Sequence, residues 1–95
     1  MADTLKPLSR SLDELIDKLG FQNKLKEQTV IREWSSIVGP QIGRIARPEK
    51  IFDRVLYLRV ANMSWRTELT FQKQTILQQI EKRIGKNIVS DLRFY

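Results

Sequence analysis

One short run of alternating side chains constrains the fold of this chain more than any other feature. Between residues 55 and 61, every second position is apolar, and these positions are Leu56, Leu58 and Val60. Tyr57 and Arg59 lie between them, so one face of the predicted strand is apolar and the other is mixed. Such a strand needs helices on its apolar face alone. The pattern therefore predicts an α+β domain whose sheet has one buried face.

Helical patterns precede this strand. Residues 1–10 show no period and are predicted to be a flexible lead-in. A first helix is expected from the capping box Ser11–Glu14 to a stop at Gly20, followed by a second helix over residues 24–38 and a short turn over residues 40–46. The apolar positions of the first helix are Leu12, Leu15, Ile16 and Leu19. They repeat at helical spacing, so this stripe is expected to pack against another surface.

The remaining elements complete a small sheet. A short strand over residues 50–53 and the alternating strand are joined by a turn, and a long helix over residues 62–84 leads to a last strand over residues 87–95. The predicted order is α-α-β-β-α-β, with helices packed on one face of a three-stranded sheet. The last three elements form a crossover, which is right-handed in nearly all proteins. Residues 11–95 are expected to fold as one domain, because the chain is too short for two.

Both tryptophans are assigned to the core. Trp34 shares a helical face with Ile31 and Val38, and Trp65 lies on the apolar stripe of the long helix. An aromatic ring can also serve as a platform for stacked bases. The apolar neighbours at helical spacing favour burial over stacking for these two residues.

Composition argues against catalysis. The 95 residues include neither cysteine nor histidine, which excludes disulfides, thiolate metal sites and a histidine general base. The sequence has no glycine-rich phosphate loop and no set of metal ligands, so no catalytic residue, cofactor or metal is predicted. It also lacks a secretory signal pattern and any apolar run near the roughly 18 residues of a membrane helix. A cytoplasmic, non-enzymatic protein without a membrane partner is expected.

The positive charge is segregated along the chain. Residues 1–43 contain six basic and six acidic side chains, so the net charge of +6 arises from eleven basic and five acidic side chains in residues 44–95. The basic residues around the predicted hairpin and the start of the long helix are Arg44, Arg47, Lys50, Arg54, Arg59 and Arg66. Such clustering favours contact with the phosphates of a nucleic acid. The alternative is a dispersed, solvated basic surface.

Three aromatic residues are assigned to the surface. By strand alternation, Tyr57 and Tyr95 fall on the outward face, where a ring could stack on a base or on a protein partner. Phe71 lies about 200° from Leu69 around the long helix, so one face cannot bury both. We interpret Phe71 as a candidate contact for a protein partner. The alternative is an isolated exposed apolar residue, which is common on protein surfaces.

Several short motifs occur in a fixed order along most of the chain. They are Trp34, Val38-Gly39, Ala46-x-Pro48, the alternating strand, Ser64-Trp65-x-x-Glu68-Leu69 and Leu92-Arg93-Phe94. As a set they resemble the DciA family of bacterial proteins. The resemblance implies a K-homology-like fold and a nucleic-acid-binding adaptor that helps to load or operate the replicative DNA helicase. The implied partners are that helicase and DNA, single-stranded or forked and bound without sequence preference.

The chain departs from the family pattern in its hairpin and its tail. Arg54 stands where the family usually has glycine, and because positive φ strains an arginine, a longer turn or another turn type is expected. Many relatives carry a basic extension, whereas this sequence stops at Tyr95. DNA binding is therefore expected to come from the domain itself or to be weaker.

Two other functions fit the same fold and charge. One is an RNA-binding module of the K-homology type, and the other is a protein-binding adaptor whose basic face meets an acidic partner. The phosphate loop of a K-homology domain has two residues between its glycines, whereas Gly39 and Gly43 have three. We interpret these glycines as a helix break with close packing.

Overall fold

A computed structural model describes the backbone of residues 2–95 and the side chains from residue 11 onward. The elements in chain order are α1 (Ala2–Arg32), α2 (Trp34–Val38), α3 (Pro40–Ile45), β1 (Ala46–Phe52), β2 (Val55–Val60), α4 (Met63–Phe71), α5 (Lys73–Arg83) and β3 (Asp91–Phe94). The predicted α+β class is confirmed. The side chains of residues 1–10 lie outside the described part of the chain, so the prediction that these residues form a flexible lead-in stays a prediction. The likeness to the K-homology fold also stays a prediction.

The three strands form one mixed sheet in the order β1-β2-β3. β1 and β2 are antiparallel, whereas β2 and β3 are parallel. A parallel pair requires a crossover connection, which α4 and α5 provide. The apolar stripe predicts one long helix here, but Gln72 adopts φ −92° and ψ 5° and separates the two helices.

β1 is longer than the four-residue strand predicted from the sequence. It begins at Ala46, directly after α3, and passes through Pro48. Proline has no amide proton to donate, and β1 lies at the edge of the sheet, where a strand tolerates it. The register shifts between Pro48 and Lys50, which makes Glu49 the extra residue of a β-bulge.

The core lies between the helices and one face of the sheet. The buried inward residues of the strands are Ala46, Leu56, Leu58, Val60 and Leu92. The helices contribute Val30, Trp34, Ile37, Leu69, Ile76 and Ile80. Trp34 is 2% exposed, and its indole Nε1 donates a hydrogen bond of 2.9 Å to the carbonyl oxygen of Ala46. This bond satisfies the polar atom of a large buried side chain and joins α2 to β1. Trp65 is half-buried and packs against the same core.

α1 differs most from the prediction. It runs without interruption from Ala2 to Arg32, so the expected stop at Gly20 is wrong and the capping box lies inside the helix. A glycine inside a helix costs only about 1 kcal/mol relative to alanine, which a long helix tolerates. The apolar stripe was also expected to pack, yet the side chains of residues 11–26 are all exposed. Within the described part of the chain, no helix combines the length and apolarity needed to cross a membrane.

Gly39 and Gly43 shape the junction of α2 and α3 as the sequence predicts. Gly39 has a φ of 95°, in the left-handed region that glycine adopts without strain. Pro40 then starts α3, a position that suits its fixed φ. Gly43 lies so close to α2 that a Cβ atom there would overlap the side chain of Ser35. The two glycines therefore serve a helix break and close packing.

The hairpin between β1 and β2 contradicts the expectation of a longer turn or of another turn type. Asp53 and Arg54 have φ values of 51° and 64°, the positive pair that a two-residue type I′ turn requires. Ser90 helps to hold this conformation, because its amide and hydroxyl donate hydrogen bonds of 2.7 and 3.1 Å to the Arg54 carbonyl oxygen. The Arg54 guanidinium also donates to Asn87 Oδ1 at 3.5 Å.

Replacing Trp34 with alanine is expected to lower the free energy of unfolding by about 3–5 kcal/mol, the usual effect of deleting a buried large aromatic side chain. Urea unfolding followed by circular dichroism measures this change. Phe21→Ala is the matched control, since Phe21 is 66% exposed and its loss should change the unfolding free energy by less than about 0.5 kcal/mol. A loss below about 1 kcal/mol for Trp34→Ala would contradict its place in the core.

Candidate nucleic-acid interface

The outward face of the sheet carries most of the residues that the sequence predicts to contact nucleic acid. The strand register arranges them in three rows, which are Arg47, Arg59 and Tyr95; Lys50, Tyr57 and Arg93; and Phe52, Val55 and Asp91. Among the side chains that the structure describes, no buried core residue lies on this face. We define the basic belt as the four cations of the first two rows and a neighbour on α3: Arg44, Arg47, Lys50, Arg59 and Arg93.

One end of the basic belt gathers arginines from three elements. Arg44 comes from the last turn of α3, Arg47 from β1 and Arg59 from β2. Together they line a groove of about 270 Å³. Arg47 and Arg59 lie opposite each other in the antiparallel pair, where like charges repel. A phosphate bound among these guanidinium groups would offset that repulsion and accept several charge-assisted hydrogen bonds.

Two tyrosines lie in the middle of the basic belt. The rings of Tyr57 and Tyr95 meet edge to face, with centroids 6.5 Å apart and planes inclined at 71°. Lys50 Nζ lies 5.0 Å from the Tyr57 ring centroid, and Arg59 Cζ lies 5.4 Å from that of Tyr95. Aromatic rings beside cations are the combination that stacks on unpaired bases while binding the adjoining phosphates.

Glu49 is the acidic residue within this basic surface. As the bulge residue of β1, it accepts a hydrogen bond of 2.5 Å from Arg59 Nε and another from the Tyr95 hydroxyl. The side chains of Arg59 and Glu49 are 64% and 35% exposed, so solvent screens their ion pair and it contributes little to stability. Its main effect is on the surface, because it neutralises one cation of the belt and fixes the positions of Arg59 and Tyr95.

These contacts shift three pKa values. The Tyr95 hydroxyl and then the Arg59 guanidinium lower the pKa of Glu49 by donating hydrogen bonds to its carboxylate. The same hydrogen bond raises the pKa of Tyr95, since the carboxylate stabilises the neutral phenol and repels a phenolate. Glu49 also raises the pKa of Arg59. At neutral pH, Glu49 is therefore ionised and Tyr95 neutral, so the hydrogen bond between them persists.

A second groove borders the outward face along the edge of β3. It lies between α4 and β3, has a volume of about 480 Å³, and its polar lining consists of Arg66, Thr67, Thr70, Lys73, Asp91 and Arg93. Arg66 Nε is buried and has no hydrogen-bond partner among the described atoms. Lys73 Nζ pairs with Asp91 at 3.2 Å. Arg93 lines both this groove and the tyrosine surface, so the two basic areas are continuous.

Four of the six cations nominated from the sequence lie in the basic belt: Arg44, Arg47, Lys50 and Arg59. Arg54 does not join them, because it occupies the hairpin turn beyond the Phe52–Val55 pair, at the opposite end of β1 from Arg47. Arg66 lies in the second groove instead.

Sequence reasoning missed three charged residues of this surface. Arg93 stands between two apolar residues of β3, so strand alternation could have assigned it to the outward face. Its place beside Tyr57 depends on the parallel register, which the sequence does not reveal. Glu49 reaches Arg59 from a bulge, and Lys73 reaches the groove through the break between α4 and α5. No local pattern in the sequence marks these last two positions.

Phe71 has the orientation that helical spacing predicts. It is the last residue of α4 and is 81% exposed, whereas Leu69 is fully buried. Its role as a contact for a protein partner stays a prediction.

Comparison with known proteins identifies a family. The family model described as "Dna[CI] antecedent, DciA" matches residues 7–94. A UPF0232 protein of Mycobacterium tuberculosis is 32% identical over 88 residues, which are 93% of this chain and 47% of that protein. UPF0232 proteins of Mycobacterium ulcerans and Corynebacterium glutamicum are each 30% identical over 88 residues, 93% of this chain and 47% and 49% of their own. The chain thus spans about half the length of these relatives.

Replacing Glu49 with glutamine is expected to lower the pKa of Tyr95 toward its ordinary value, because the negative charge that opposes the phenolate is gone. An ultraviolet absorbance titration measures this pKa in a Tyr57→Phe background, where Tyr95 is the only tyrosine. Asp53→Asn removes the same charge at the hairpin turn and serves as the control. An equal pKa for Tyr95 in the Glu49→Gln and Asp53→Asn proteins would rule out the Glu49 contact in solution.

Proposed function

The chain belongs to the DciA family, and from that premise we propose that it is a cytoplasmic, non-catalytic adaptor that binds nucleic acid and helps to load or operate the replicative DNA helicase. The nucleic acid is single-stranded or forked DNA, bound without sequence preference. The observation that carries this proposal is the basic belt, which brings four cations together on a sheet face free of described core residues and adds Arg44 from the neighbouring α3.

The basic belt suits a phosphate backbone. Arginine and lysine contacts to phosphate supply affinity that does not depend on sequence. Arg44, Arg47 and Arg59 converge at one end of the belt, and Arg93 continues it toward the second groove. A flexible strand could follow this path across the sheet, with successive phosphates at successive cations. Affinity that arises in this way falls steeply as salt increases, because binding releases counterions.

The two tyrosines support a preference for unpaired bases. Paired bases in a duplex stack on one another, so their faces are not accessible to a protein ring. A single strand can turn its bases toward Tyr57 and Tyr95 while its phosphates contact Lys50 and Arg59. Stacking is tolerant of sequence, because every base has a flat aromatic face.

The helicase part of the proposal rests on the family, and Phe71 is the candidate contact. It is exposed at the end of α4, the neighbouring Gln72 and Gln74 are polar, and it lies outside the basic belt. A lone exposed aromatic residue of this kind can anchor an interface energetically. The adaptor itself requires no catalytic group, since the helicase hydrolyses nucleotide.

Reversing Arg44, Arg47 and Arg59 to glutamate together is expected to weaken binding of a single-stranded oligonucleotide by on the order of 100-fold or more at low salt. Fluorescence anisotropy at several salt concentrations measures the affinity and its salt dependence. The slope of log affinity against log salt should become shallower by about 2, because three phosphate contacts are lost. Circular dichroism should show the fold unchanged, since all three side chains are exposed.

The control for this experiment reverses Lys82, Arg83 and Lys86 to glutamate, which changes the net charge equally at the end of α5. This protein should retain most of the affinity. An equal loss in both variants would show that net charge rather than the belt drives binding. Forked DNA, duplex DNA and RNA are titrated in parallel: a clear preference for RNA favours the RNA-binding alternative. Absence of binding to all of them favours an adaptor for an acidic protein.

Replacing Phe71 with serine is expected to weaken binding to the purified replicative helicase by about 10-fold or more, the effect of removing an interface anchor. The melting temperature and DNA affinity should stay nearly unchanged, because the side chain is 81% exposed and outside the belt. Surface plasmon resonance measures the helicase affinity, and Phe21→Ser is the control for loss of an exposed phenylalanine. Unchanged helicase binding would reduce Phe71 to an ordinary surface residue.

A further inference from the structure

The first half of α1 presents an apolar stripe that nothing in the described part of the chain covers. Leu12, Leu15, Ile16 and Leu19 share one face of the helix and are 56%, 52%, 64% and 51% exposed. From residue 11 onward, the first fully buried residue of α1 is Val30, so this part of the helix reaches the core only near its end. The molecule accordingly measures 65 Å in one direction and about 20 Å in the others.

A helix in this situation lacks the packing that normally stabilises helices. Most helical stability in proteins comes from burial of an amphipathic face, and isolated helices shorter than about 12–15 residues are marginal in water. Residues 11–26 have only exposed side chains. A partner that covers the stripe would supply the missing stabilisation.

The spacing of the leucines identifies the kind of partner. Leu12, Leu15 and Leu19 follow the 3-4 spacing of a heptad seam. The same spacing continued toward the start of the sequence falls on Leu5 and Leu8, which are too few to show a period within residues 1–10 alone. The next positions of that heptad are Gln22 and Lys26, so the apolar heptad positions of the sequence run from 5 to 19. A strict heptad is the pattern by which one α-helix packs along another α-helix.

The charges beside the seam permit pairing of two identical helices. The positions that flank a heptad seam are Ser9, Ser11, Ile16 and Lys18. They include one charge only, so two copies would bring few like charges together. The acidic residues Asp13, Glu14 and Asp17 lie at the outer positions of the heptad, away from the partner helix. We propose that the apolar stripe of α1 is a homodimer interface, occupied by α1 of a second copy of this chain.

Charge also sets the direction of the two helices. Residues 44–95 carry the whole net charge of +6, whereas residues 11–19 contain three acidic side chains and one basic side chain. A parallel pair would bring both basic domains to the same end and both acidic segments together. An antiparallel pair places the two basic domains at opposite ends and moves the two acidic segments to opposite sides of the two-fold axis, so both repulsions fall. The dimer is therefore antiparallel, with a two-fold axis near the middle of the seam.

Sedimentation equilibrium of the full chain tests the dimer. The interface is short, so the mass should rise with concentration from 11.2 kDa toward twice that value. Helicity measured by circular dichroism should rise over the same concentration range, because pairing stabilises α1. Replacing Leu12 and Leu19 with glutamate together should keep the chain monomeric at every concentration and abolish the rise in helicity.

The matched control places the same charges on the other side of α1. Phe21 lies on the face opposite the stripe, Leu25 lies beyond the end of the seam, and they are 66% and 51% exposed. Phe21→Glu with Leu25→Glu should leave the dimer intact. Both double variants should retain the melting transition of the core and the affinity for single-stranded DNA, because neither touches the core or the basic belt.

The direction of the helices is tested by a distance measurement. The sequence has no cysteine, so Lys24→Cys introduces a single site for a spin label. In an antiparallel pair centred on Leu12, the two labels are about 36 Å apart along the helix axis at 1.5 Å per residue. In a parallel pair they lie at the same height on the outer faces of the two helices, about two helix diameters, roughly 20–24 Å, apart. The longer distance supports the antiparallel dimer, and the shorter one contradicts that direction.

Two results would overturn the dimer. One is a monomeric mass at all concentrations, and the other is a dimer that survives the Leu12 and Leu19 substitutions. A monomeric chain that binds purified helicase, and loses this binding when Leu12 and Leu19 are replaced, would show that the stripe is occupied by a helicase helix instead. The inference does not rest on the proposed function, because DNA affinity is measured separately on the same variants.

Discussion

Burial of the apolar row of β2 is the constraint on which the rest of the structure depends. Leu56, Leu58 and Val60 are buried under the helices, and each such side chain contributes about 1.5–3 kcal/mol when fully removed from water. A strand sends alternate residues to opposite sides, so Tyr57 and Arg59 must face outward once this row is buried. The alternation that builds the core thus also builds the candidate interface.

The spacing of apolar residues along the sequence predicted those parts of the fold that depend only on the geometry of a single helix or strand. The α+β class, the half-buried strand, the tryptophan of the core and the outward orientation of Phe71 all follow from periods of 2 and 3.6 residues. The interface needed more than this. Arg93 lies beside Tyr57 because of the register of a parallel pair, and Glu49 reaches Arg59 because of a bulge. Register and bulges depend on contacts between distant segments, which a single sequence does not encode as a pattern.

The local predictions that were wrong show where context overrides propensity. Gly20 was expected to end a helix, but a stop requires the backbone to leave the helical region, and a glycine only makes that departure easier. Arg54 was expected to avoid positive φ, yet its carbonyl oxygen accepts two hydrogen bonds from Ser90. Those bonds, made by a residue 36 positions away, favour the tight turn over relaxed alternatives.

Glu49 determines how the basic belt can act under the proposed function. A phosphate that approaches Arg59 must compete with a carboxylate that already holds the guanidinium, so binding exchanges one ionic contact for another. The gain in affinity at that cation is correspondingly small, while Arg44 and Arg47 form no ion pair among the described side chains. This competition weakens the attraction for phosphate at Arg59, beside Tyr95, and leaves the strongest attraction at Arg44 and Arg47. Under the proposed function, a strand held in this way would bind without sequence preference and leave readily, as an adaptor that helps to load a helicase requires.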